Sequence, residues 1–275
     1  MSNLKFGVLR YINCLPATLA IEKGEVDLSG WETQTGIPAE LNAQMRAGQL
    51  DVSLVSAAEY LENEEHYQLL DEFGQWCLGP VESVCLFSPR SRRQLSDLPQ
   101  CVVGVTPESA TSVALTGLLL PNARTEAFAS LESAEVGLNQ DRFQAVLLIG
   151  DKALAPPSWT RELQVHDLSA WWNEMTGYPM TFAVWVARKE LDKSDVDRAR
   201  SLLRESLEWG AEHNDEVVAE GARRSGLSEA RIKTYLGNLN FLTTEESRPG
   251  FLEFRARLKR RRIFGVPPVT TGLCL

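Results

Sequence analysis

The stretch that decides the fold is Val102–Leu120, with the sequence VVGVTPESATSVALTGLLL. Its first residues, together with Cys101, form a β-branched and apolar run that predicts a strand ending at Val105. A polar turn follows, and the apolar residues after it recur at helical spacing. Strand, polar loop and helix in this order are the unit from which ligand-binding α/β sheets are built.

The polar turn and the start of the predicted helix carry four hydroxyl side chains: Thr106, Ser109, Thr111 and Ser112. A helix N-terminus has about four unpaired N–H groups and a partial positive charge. Hydroxyls beside those groups make a receptor for a carboxylate or a phosphate. The loop lacks the GxxxxGK[ST] pattern of nucleotide sites, which disfavours a nucleotide phosphate. The alternative is that Ser109 or Thr111 only caps the helix.

The charge balance excludes a broad nucleic-acid footprint. The 275 residues carry a formal net charge of -9, so an anionic ligand needs local donors in place of a general positive field. The dense basic run Lys259–Arg262 could be a nucleic-acid arm. We interpret it as cations at a helix end, where they are favoured.

The five cysteines, at positions 14, 77, 85, 101 and 274, are scattered and form no C-x-x-C pattern or Cys/His cluster. They therefore predict buried free thiols, and neither a disulfide framework nor a metal site. The first residues lack a secretory pattern, and no apolar stretch approaches the ~20 residues of a membrane span. We expect a soluble, cytoplasmic protein with no membrane partner.

Polar side chains follow the first predicted strand, Lys5–Leu9. Such positions face the ligand crevice of an open α/β sheet, which makes Tyr11 and Asn13 candidate ligand contacts. The alternative is that Asn13 caps the next helix, with Pro16 in its first turn.

Two further strand ends carry candidate residues. Ser56 ends the predicted strand Leu50–Ser56, where it either reaches the crevice or caps the following helical turn. Gly150 and Asp151 follow the predicted strand Ala145–Ile149, where a Gly-Asp pair is also typical of a simple turn.

The alternation of strands and helices predicts an α/β fold of two lobes crossed twice by the chain. Lobe one comprises residues 1–88 and 181–275, and lobe two comprises residues 89–180. Val26–Ser29 is interpreted as a second strand, and Leu168–Pro179 as an aromatic, turn-rich segment. Ligand sites favour the cleft between two such lobes.

The inventory of reactive groups is short. The three histidines belong to no strand-end cluster, and neither a GxSxG elbow nor a dinucleotide fingerprint is present. Asp151 is the one carboxylate placed near a predicted strand end. The remaining candidates are neutral donors and acceptors: Asn13, Ser56, Ser83, Ser109, Thr111, Ser112 and Thr176.

Three segments together resemble chorismate dehydratases, the first enzymes of the futalosine route to menaquinone. They are Val8–Pro16 (VLRYINCLP), Pro80–Ser88 (PVESVCLFS) and Val105–Val113 (VTPESATSV). Trp171-Trp172 and Thr176–Pro179 extend the resemblance. It implies a type II periplasmic-binding-protein fold used as a cytoplasmic enzyme. It also implies loss of water from chorismate to give 3-[(1-carboxyvinyl)oxy]benzoate, without metal, flavin or nicotinamide.

The same resemblance implies roles for individual residues. Asn13 and Ser83 match positions at the substrate carboxylates and are the catalytic candidates. Ser109, Thr111 and Ser112 match an anion-binding loop. The remaining wall candidates are Tyr11, Ser56, Gly150, Asp151 and Thr176. Because the matched loops offer no histidine, we expect the substrate's own enolpyruvyl carboxylate to take the proton.

Three other functions remain open at this point. A solute-binding or sensor protein of the same fold would bind a small carboxylate without turnover. The sister enzyme of the route, which makes a dihydroxynaphthoate, is expected to use a histidine in the cleft. A purely structural or interaction protein is disfavoured by the polar strand ends.

Overall fold

The computed structural model describes residues 4–90 and 101–261, which fold into two compact α/β units. Unit 1 comprises Met1–Cys77 and Thr181–Arg248, and unit 2 comprises Leu78–Met180 and Pro249–Leu275. Each unit has its own mixed sheet, which confirms the predicted α/β class.

The strands of the described chain are, in order, β1 Leu4–Leu9, β2 Trp31–Gly36, β3 Val52–Ser56, β4 Tyr67–Cys77, β5 Val84–Pro89, β6 Cys101–Val105, β7 Ala123–Ala127, β8 Ala145–Ile149, β9 Leu163–Asp167, β10 Met180–Arg188 and β11 Asn240–Leu242. Its α-helices are α1 Leu15–Lys23, α2 Pro38–Arg46, α3 Ala57–Glu62, α4 Ala110–Leu119, α5 Leu131–Asn139, α6 Asp151–Leu154, α7 Leu168–Thr176, α8 Lys193–Glu212, α9 Asn214–Ser225, α10 Glu229–Gly237 and α11 Ser247–Arg261.

The sheet of unit 1 has the strand order β11-β4-β10-β3-β1-β2. Strand β1 is parallel to both β2 and β3, whereas β10 runs antiparallel to β3. In the core, the Phe6 ring lies 5.7 Å from the Trp31 ring and 5.2 Å from the Trp185 ring between centroids. The parallel ends of β1 and β3 therefore open at the same edge of a well-packed sheet.

Helix α8 packs directly on the backbone of α1. A Cβ atom at Gly210 would lie 2.2 Å from the Pro16 carbonyl oxygen, so only glycine allows this approach. The Ser206 hydroxyl also donates to the Ala17 carbonyl at 2.7 Å. These contacts fix the helix that follows Asn13.

The sheet of unit 2 has the strand order β7-β6-β8-β5-β9. Strand β6 is parallel to β7 and β8, and β5 is antiparallel to β8 and β9. Phe87, Phe143 and Val146 are part of a buried apolar cluster on this sheet. In this register the ends of β6 and β8 and the start of β5 share one edge.

The units differ from the predicted lobes in two places. Residues 84–88 lie in β5, which pairs with β8 and β9, so unit 2 begins at Leu78 and not at residue 89. The chain also enters unit 2 again after Arg248, in α11. There the Phe254 ring lies 6.0 Å from the Trp172 ring.

Two predicted elements are wrong for local reasons. Val26–Ser29 is a turn, because the Asp27 carboxylate accepts from the Ser29 N–H at 2.9 Å, and the strand is Trp31–Gly36. Leu168–Thr176 is a helix. Asp167 caps its start by accepting from the Ser169 and Ala170 N–H groups, and Gly177 ends it with φ 75°.

The described residues bear on three further expectations. Cys14, Cys77, Cys85 and Cys101 are buried and form no disulfide among the described residues, and Cys274 lies outside them. Three of the four basic residues of the run at 259–262 occupy the last turn of α11, and Arg262 again lies outside the described residues. No described helix combines the length and apolarity that a membrane crossing needs.

Candidate functional site

The candidate residues of unit 1 lie at the edge where β1 and β3 end, here called the Asn13 edge (Tyr11, Asn13 and Ser56). The register pairs Phe6 with Val52 and Gly7 with Ser53, which brings the two strand ends side by side. A 3-10 turn, Ile12–Cys14, follows β1 and carries Asn13. Tyr11 and Asn13 thus follow the end of β1, and Ser56 ends the neighbouring strand β3.

Asn13 does not cap α1. Cys14 occupies the cap position of that helix, which has no side-chain cap bond, while Pro16 lies in the first turn as predicted. The Asn13 side chain instead bonds to Gln75 of β4, donating from Nδ2 to Gln75 Oε1 at 3.3 Å. Gln75 Nε2 donates in return to the Asn13 carbonyl oxygen at 2.7 Å. Asn13 is thus hydrogen-bonded to a residue of β4 that lies 62 positions away in the sequence.

Ser56 occupies the cap position of α3, yet its side chain makes no cap bond there. Its hydroxyl oxygen accepts from Asn42 Nδ2 of α2 at 3.2 Å, and its N–H donates to Asn42 Oδ1 at 3.2 Å. Both residues are buried. Because the oxygen already accepts one bond, the hydroxyl hydrogen is directed away from Asn42.

The candidate residues of unit 2 gather at the edge where β6 and β8 end and β5 begins. We call it the Ser109 edge; its residues are Ser83, Ser109, Thr111, Ser112, Gly150 and Asp151. Val105 pairs with Leu147 and Val84 with Ile149, so the three strand ends are neighbours. The Gly150 N–H donates to the Ser83 carbonyl at 2.8 Å, joining two of them directly.

Ser109 is the N-cap of α4. Its hydroxyl accepts from the Ser112 N–H at 3.3 Å and shares a bond of 2.9 Å with the Ser112 hydroxyl. The capping interpretation is therefore confirmed, and anion binding by the same loop stays a prediction. Thr111 lies in the first turn of α4 and is fully buried.

Lys152, which forms an ion pair with this loop, is neutralised locally. Among the described residues, Lys152 Nζ pairs with Glu108 Oε1 at 2.6 Å. The Glu108 N–H donates in turn to the Thr106 hydroxyl at 3.2 Å. The groups that Ser109, Thr111 and Ser112 offer beside this ion pair are hydroxyls and N–H groups, which are neutral.

Ser83 lies in a tight turn that a distant carboxylate holds. Glu82 adopts φ 62°, a left-handed conformation that is strained for a side chain of this size. Its N–H donates to Asp167 Oδ2 at 2.6 Å, while Asp167 Oδ1 caps α7. Gly150 opposite adopts φ 56°, which glycine tolerates.

Burial raises the pKa of Asp167, against backbone N–H bonds that favour its ionised form. Burial and the adjacent Asp167 charge likewise raise the pKa of the Cys85 thiol, so Cys85 is not a thiolate nucleophile at neutral pH. Asp167 accepts from the Glu82 N–H and the Cys85 thiol donates to the Glu82 carbonyl at 3.5 Å, so both groups hold the residue that precedes Ser83.

In the described part of the chain, the hydroxyl of Thr176 bonds at its own helix end and not to the Ser109 edge. Its hydroxyl donates to the Trp172 carbonyl at 2.8 Å and accepts from the Tyr178 N–H at 3.1 Å, at the C-terminal end of α7. That end lies about 12 Å along the helix axis from its start at Asp167. Its role as a wall residue stays a prediction.

The three histidines, all described by the structure, lie outside both edges. His166 Nε2 lies 3.0 Å from the Ser88 hydroxyl, and burial lowers the pKa of its imidazole. His213 stacks on Trp209 with centroids 4.2 Å apart, and His66 is exposed beside Glu65. The cleft histidine expected of the sister enzyme therefore has no counterpart at either edge.

Within residues 4–90 and 101–261, no group of three His, Cys, Asp or Glu side chains could hold a metal ion. Apart from the Asp151 carboxylate, the polar groups of the residues that define both edges are amides, hydroxyls and backbone N–H groups. Such groups bind carboxylates and stabilise developing negative charge.

Sequence reasoning missed three residues of these edges: Asn42, Gln75 and Asp167. Asn42 and Gln75 are almost fully buried polar residues, and Asp167 is half-buried. Their partners are 14, 62 and 85 residues away along the chain. No local motif marks such positions; the only local signal was Asp167 at the N-cap of α7.

A family model described as menaquinone biosynthesis matches residues 4–260. The chain belongs to this family. One curated family relative, the chorismate dehydratase of Thermus thermophilus, is 34% identical over 268 residues, spanning 92% of this chain and 94% of that protein.

Solved structures show the fold independently. Protein AF1704 from Archaeoglobus fulgidus superposes with a TM-score of 0.80 at 17% identity, covering 95% of this chain and 98% of that one. A Candida albicans protein described as having the generic periplasmic binding protein fold gives a TM-score of 0.67 at 11% identity, covering 98% and 92%. The predicted periplasmic-binding-protein fold is confirmed.

Proposed function

We propose that this protein is a lyase that removes water from chorismate to give 3-[(1-carboxyvinyl)oxy]benzoate. The observation that carries the proposal is the 34% identity, over nearly the whole length of both chains, to a protein named chorismate dehydratase. The two edges supply chemistry that suits this reaction. Action in the cytoplasm, without a metal or organic cofactor, is part of the same proposal.

Chorismate carries two carboxylates, and both edges offer neutral donors for them. In the proposed complex Asn13 and Ser83 bind the carboxylates, supported by Ser56 and by the Ser109 loop. Tyr11, Gly150, Asp151 and Thr176 complete the wall. Hydrogen bonds from neutral donors to a carboxylate are charge-assisted and stronger than bonds between neutral groups, so such donors can bind an anion in a chain of net charge -9.

The proposed reaction begins with removal of the ring hydrogen beside the ether oxygen. The electron pair of the broken C–H bond delocalises into the ring carboxylate, where hydrogen bonds stabilise the developing charge. Hydroxide then leaves, takes up the proton as water, and the ring becomes aromatic. One preorganised donor of this kind contributes about 10²- to 10³-fold in kcat.

The base in the proposed mechanism is the substrate's own enolpyruvyl carboxylate. The protein carboxylates nearest to Ser83 and Gly150 in sequence are Glu82 and Asp151. The substitutions Glu82→Gln and Asp151→Asn test whether either carboxylate is the base. We expect both variants to keep kcat within about tenfold of the unaltered protein and to keep its pH profile. Loss of turnover in either folded variant, together with loss of the ionisation that limits its pH–rate profile, would refute substrate-assisted proton removal.

The direct experiment is incubation of the purified protein with chorismate, followed by mass spectrometry for a product lighter by one water. The double variant Asn13→Ala/Ser83→Ala is expected to lose at least about 10²-fold in kcat. The matched control is Asn139→Ala/Ser201→Ala, at two exposed positions, which should turn over normally. Full activity of the first double variant would overturn the assigned roles.

The same experiment decides against the solute-binding alternative. Tight binding of chorismate without any product, measured by calorimetry beside the mass assay, would mean a receptor of the same fold. Steady product formation, with Asn13→Ala/Ser83→Ala impaired, supports the enzyme.

A further inference from the structure

Gln75 forms a two-point clamp on Asn13. It lies in β4, is 5% exposed and belongs to no loop. Its Nε2 donates to the Asn13 carbonyl oxygen at 2.7 Å, and its Oε1 accepts from Asn13 Nδ2 at 3.3 Å. One buried amide thus binds both the backbone and the side chain of the same residue.

The orientation of this clamp follows from donor and acceptor chemistry. A backbone carbonyl can only accept, so the Gln75 amide must present its nitrogen to the Asn13 carbonyl. Gln75 Oε1 then faces the Asn13 side chain and can only accept, so Asn13 must present its nitrogen. The backbone carbonyl therefore dictates which way both amides face.

A second contact fixes the opposite side of the Asn13 amide. Cys14 Sγ donates to Asn13 Oδ1 at 3.3 Å. One N–H of Asn13 is engaged by Gln75, which leaves the second N–H of the same nitrogen directed away from Gln75. That N–H is the donor available to an anionic ligand.

We propose that Gln75 is a positioning residue, which holds the Asn13 amide in the orientation that presents an N–H to the substrate carboxylate. This inference rests on the proposed function, since it assigns Asn13 as the donor. Without Gln75 only the weak S–H donor of Cys14 still holds the Asn13 amide, which can then rotate by 180° and present its oxygen, which repels a carboxylate.

The test exchanges Gln75→Met, which keeps the length and apolar volume of the side chain and removes both hydrogen bonds. We expect kcat with chorismate to fall by about 10- to 100-fold, since a misplaced catalytic group costs up to about 100-fold. The loss is expected mainly in kcat, because the donor acts on charge that develops in the transition state.

Gln68→Met is a matched control on the same strand. Gln68 Nε2 donates to the carbonyls of Arg188, Lys189 and Leu191 at 3.1, 2.7 and 3.0 Å, so it too is a glutamine that anchors backbone carbonyls. A purely structural role of Gln75 predicts similar stability losses and similar kcat in both variants. The positioning role predicts a large kcat loss in Gln75→Met alone.

A double-variant cycle with Asn13→Ala sharpens the test. If Gln75 acts through Asn13, adding Gln75→Met to Asn13→Ala should change kcat by less than about threefold. Equal losses in both backgrounds would mean that Gln75 contributes independently of Asn13, and would overturn the proposal.

A readout without chorismate separates this inference from the proposed function. Neutron structures of the unaltered protein and of Gln75→Met, which distinguish the nitrogen of an amide from its oxygen, should differ in the orientation or order of the Asn13 amide, whichever substrate the protein uses. An Asn13 amide that keeps its orientation without Gln75 overturns the inference. Absent turnover with a displaced Asn13 amide overturns only the proposed function.

Discussion

The two polar edges are organised in different ways. At the Asn13 edge, buried amides from other elements hold the candidate residues: Gln75 holds Asn13 and Asn42 holds Ser56. At the Ser109 edge the hydroxyls of α4 bond to one another within three residues, and only the neighbouring Ser83 turn is held by a distant residue, Asp167. Polar groups can thus be held in place by buried side chains from distant parts of the sequence, here called long-range clamps, or by capping within one helix turn. Substitutions should affect the two arrangements differently.

This difference predicts how much stability the protein loses when each arrangement is disrupted. Loss of a local cap destabilises one helix turn, because the hydrogen bonds of the cap lie within that turn. A long-range clamp links two elements, so its removal leaves buried partners without bonds in both of them. Variants at the Asn13 edge should therefore affect stability more than variants of the α4 cap.

The largest expected effect belongs to Asn42→Leu. The exchange removes the partners of both the Ser56 hydroxyl and the Ser56 N–H, which are buried. Unsatisfied buried groups cost about 1–3 kcal/mol each, so we expect a loss of about 2–4 kcal/mol in the free energy of unfolding. Urea denaturation measures the stability, and kcat/KM with chorismate should fall in parallel.

Asn63→Leu is the matched control for this prediction. Asn63 Nδ2 donates to the Glu59 carbonyl at 3.1 Å and to Glu59 Oε1 at 3.0 Å, in the same unit but away from the strand ends. It should lower stability and leave kcat/KM unchanged in the folded protein. An Asn42→Leu variant as stable and active as the unaltered protein would contradict the claim that long-range clamps stabilise the Asn13 edge.

The next effect concerns Asp167, the long-range clamp of the Ser109 edge. Asp167→Asn can still cap α7 through Oδ1 but presents a donor to the Glu82 N–H. We expect a loss of about 1–3 kcal/mol in the free energy of unfolding at neutral pH, and reduced turnover through the released Ser83 turn. Asp197→Asn, which alters a more exposed carboxylate, is the control.

The contribution of Asp167 to the free energy of unfolding also depends on pH. The pKa of Asp167 is raised above its ordinary value of 3.8, so the folded state binds this proton more readily than the unfolded state. Its contribution to the free energy of unfolding is therefore largest below pH 3.8 and declines as the pH rises through the raised pKa. The stability difference between the unaltered protein and Asp167→Asn should show this slope, and a slope of opposite sign would contradict the assignment.

A smaller effect separates capping from anion binding in α4. Ser109→Ala should cost about 1 kcal/mol in the free energy of unfolding, as loss of an N-cap. Ser130→Ala removes a matched cap in the same unit, where Ser130 accepts from the Ser133 N–H at 3.2 Å. If the Ser109 loop also binds a carboxylate, only Ser109→Ala raises KM for chorismate. Equal KM values in both variants would leave Ser109 as a cap alone.

Local chemistry decided what could be predicted from the sequence. The strand–loop–helix unit around Ser109 was predicted correctly because strand, cap and apolar period lie within 20 consecutive residues. The helix Leu168–Thr176 was missed because its aromatic residues and its Gly-Tyr-Pro end suggested turns. Gln75 was missed because its partner is 62 residues away, a distance that no periodicity reports.

The smallest expected effect tests whether long-range polar pairs matter outside the edges. Ser88 and His166 are 78 residues apart and bonded at 3.0 Å, yet they belong to neither edge. Burial lowers the pKa of His166 below 6.5, so the free energy of unfolding should fall as the pH drops from 6.5 through that lowered pKa. His166→Gln should reduce this slope. Urea denaturation between about pH 7 and about pH 5, the range in which an imidazole titrates, measures it.

The turnover of chorismate by His166→Gln at neutral pH should stay within about twofold of the unaltered protein, since the pair supports a strand and not a donor. A large loss of kcat in His166→Gln would extend the functional site beyond the two edges, and with it the set of distant pairs on which turnover depends.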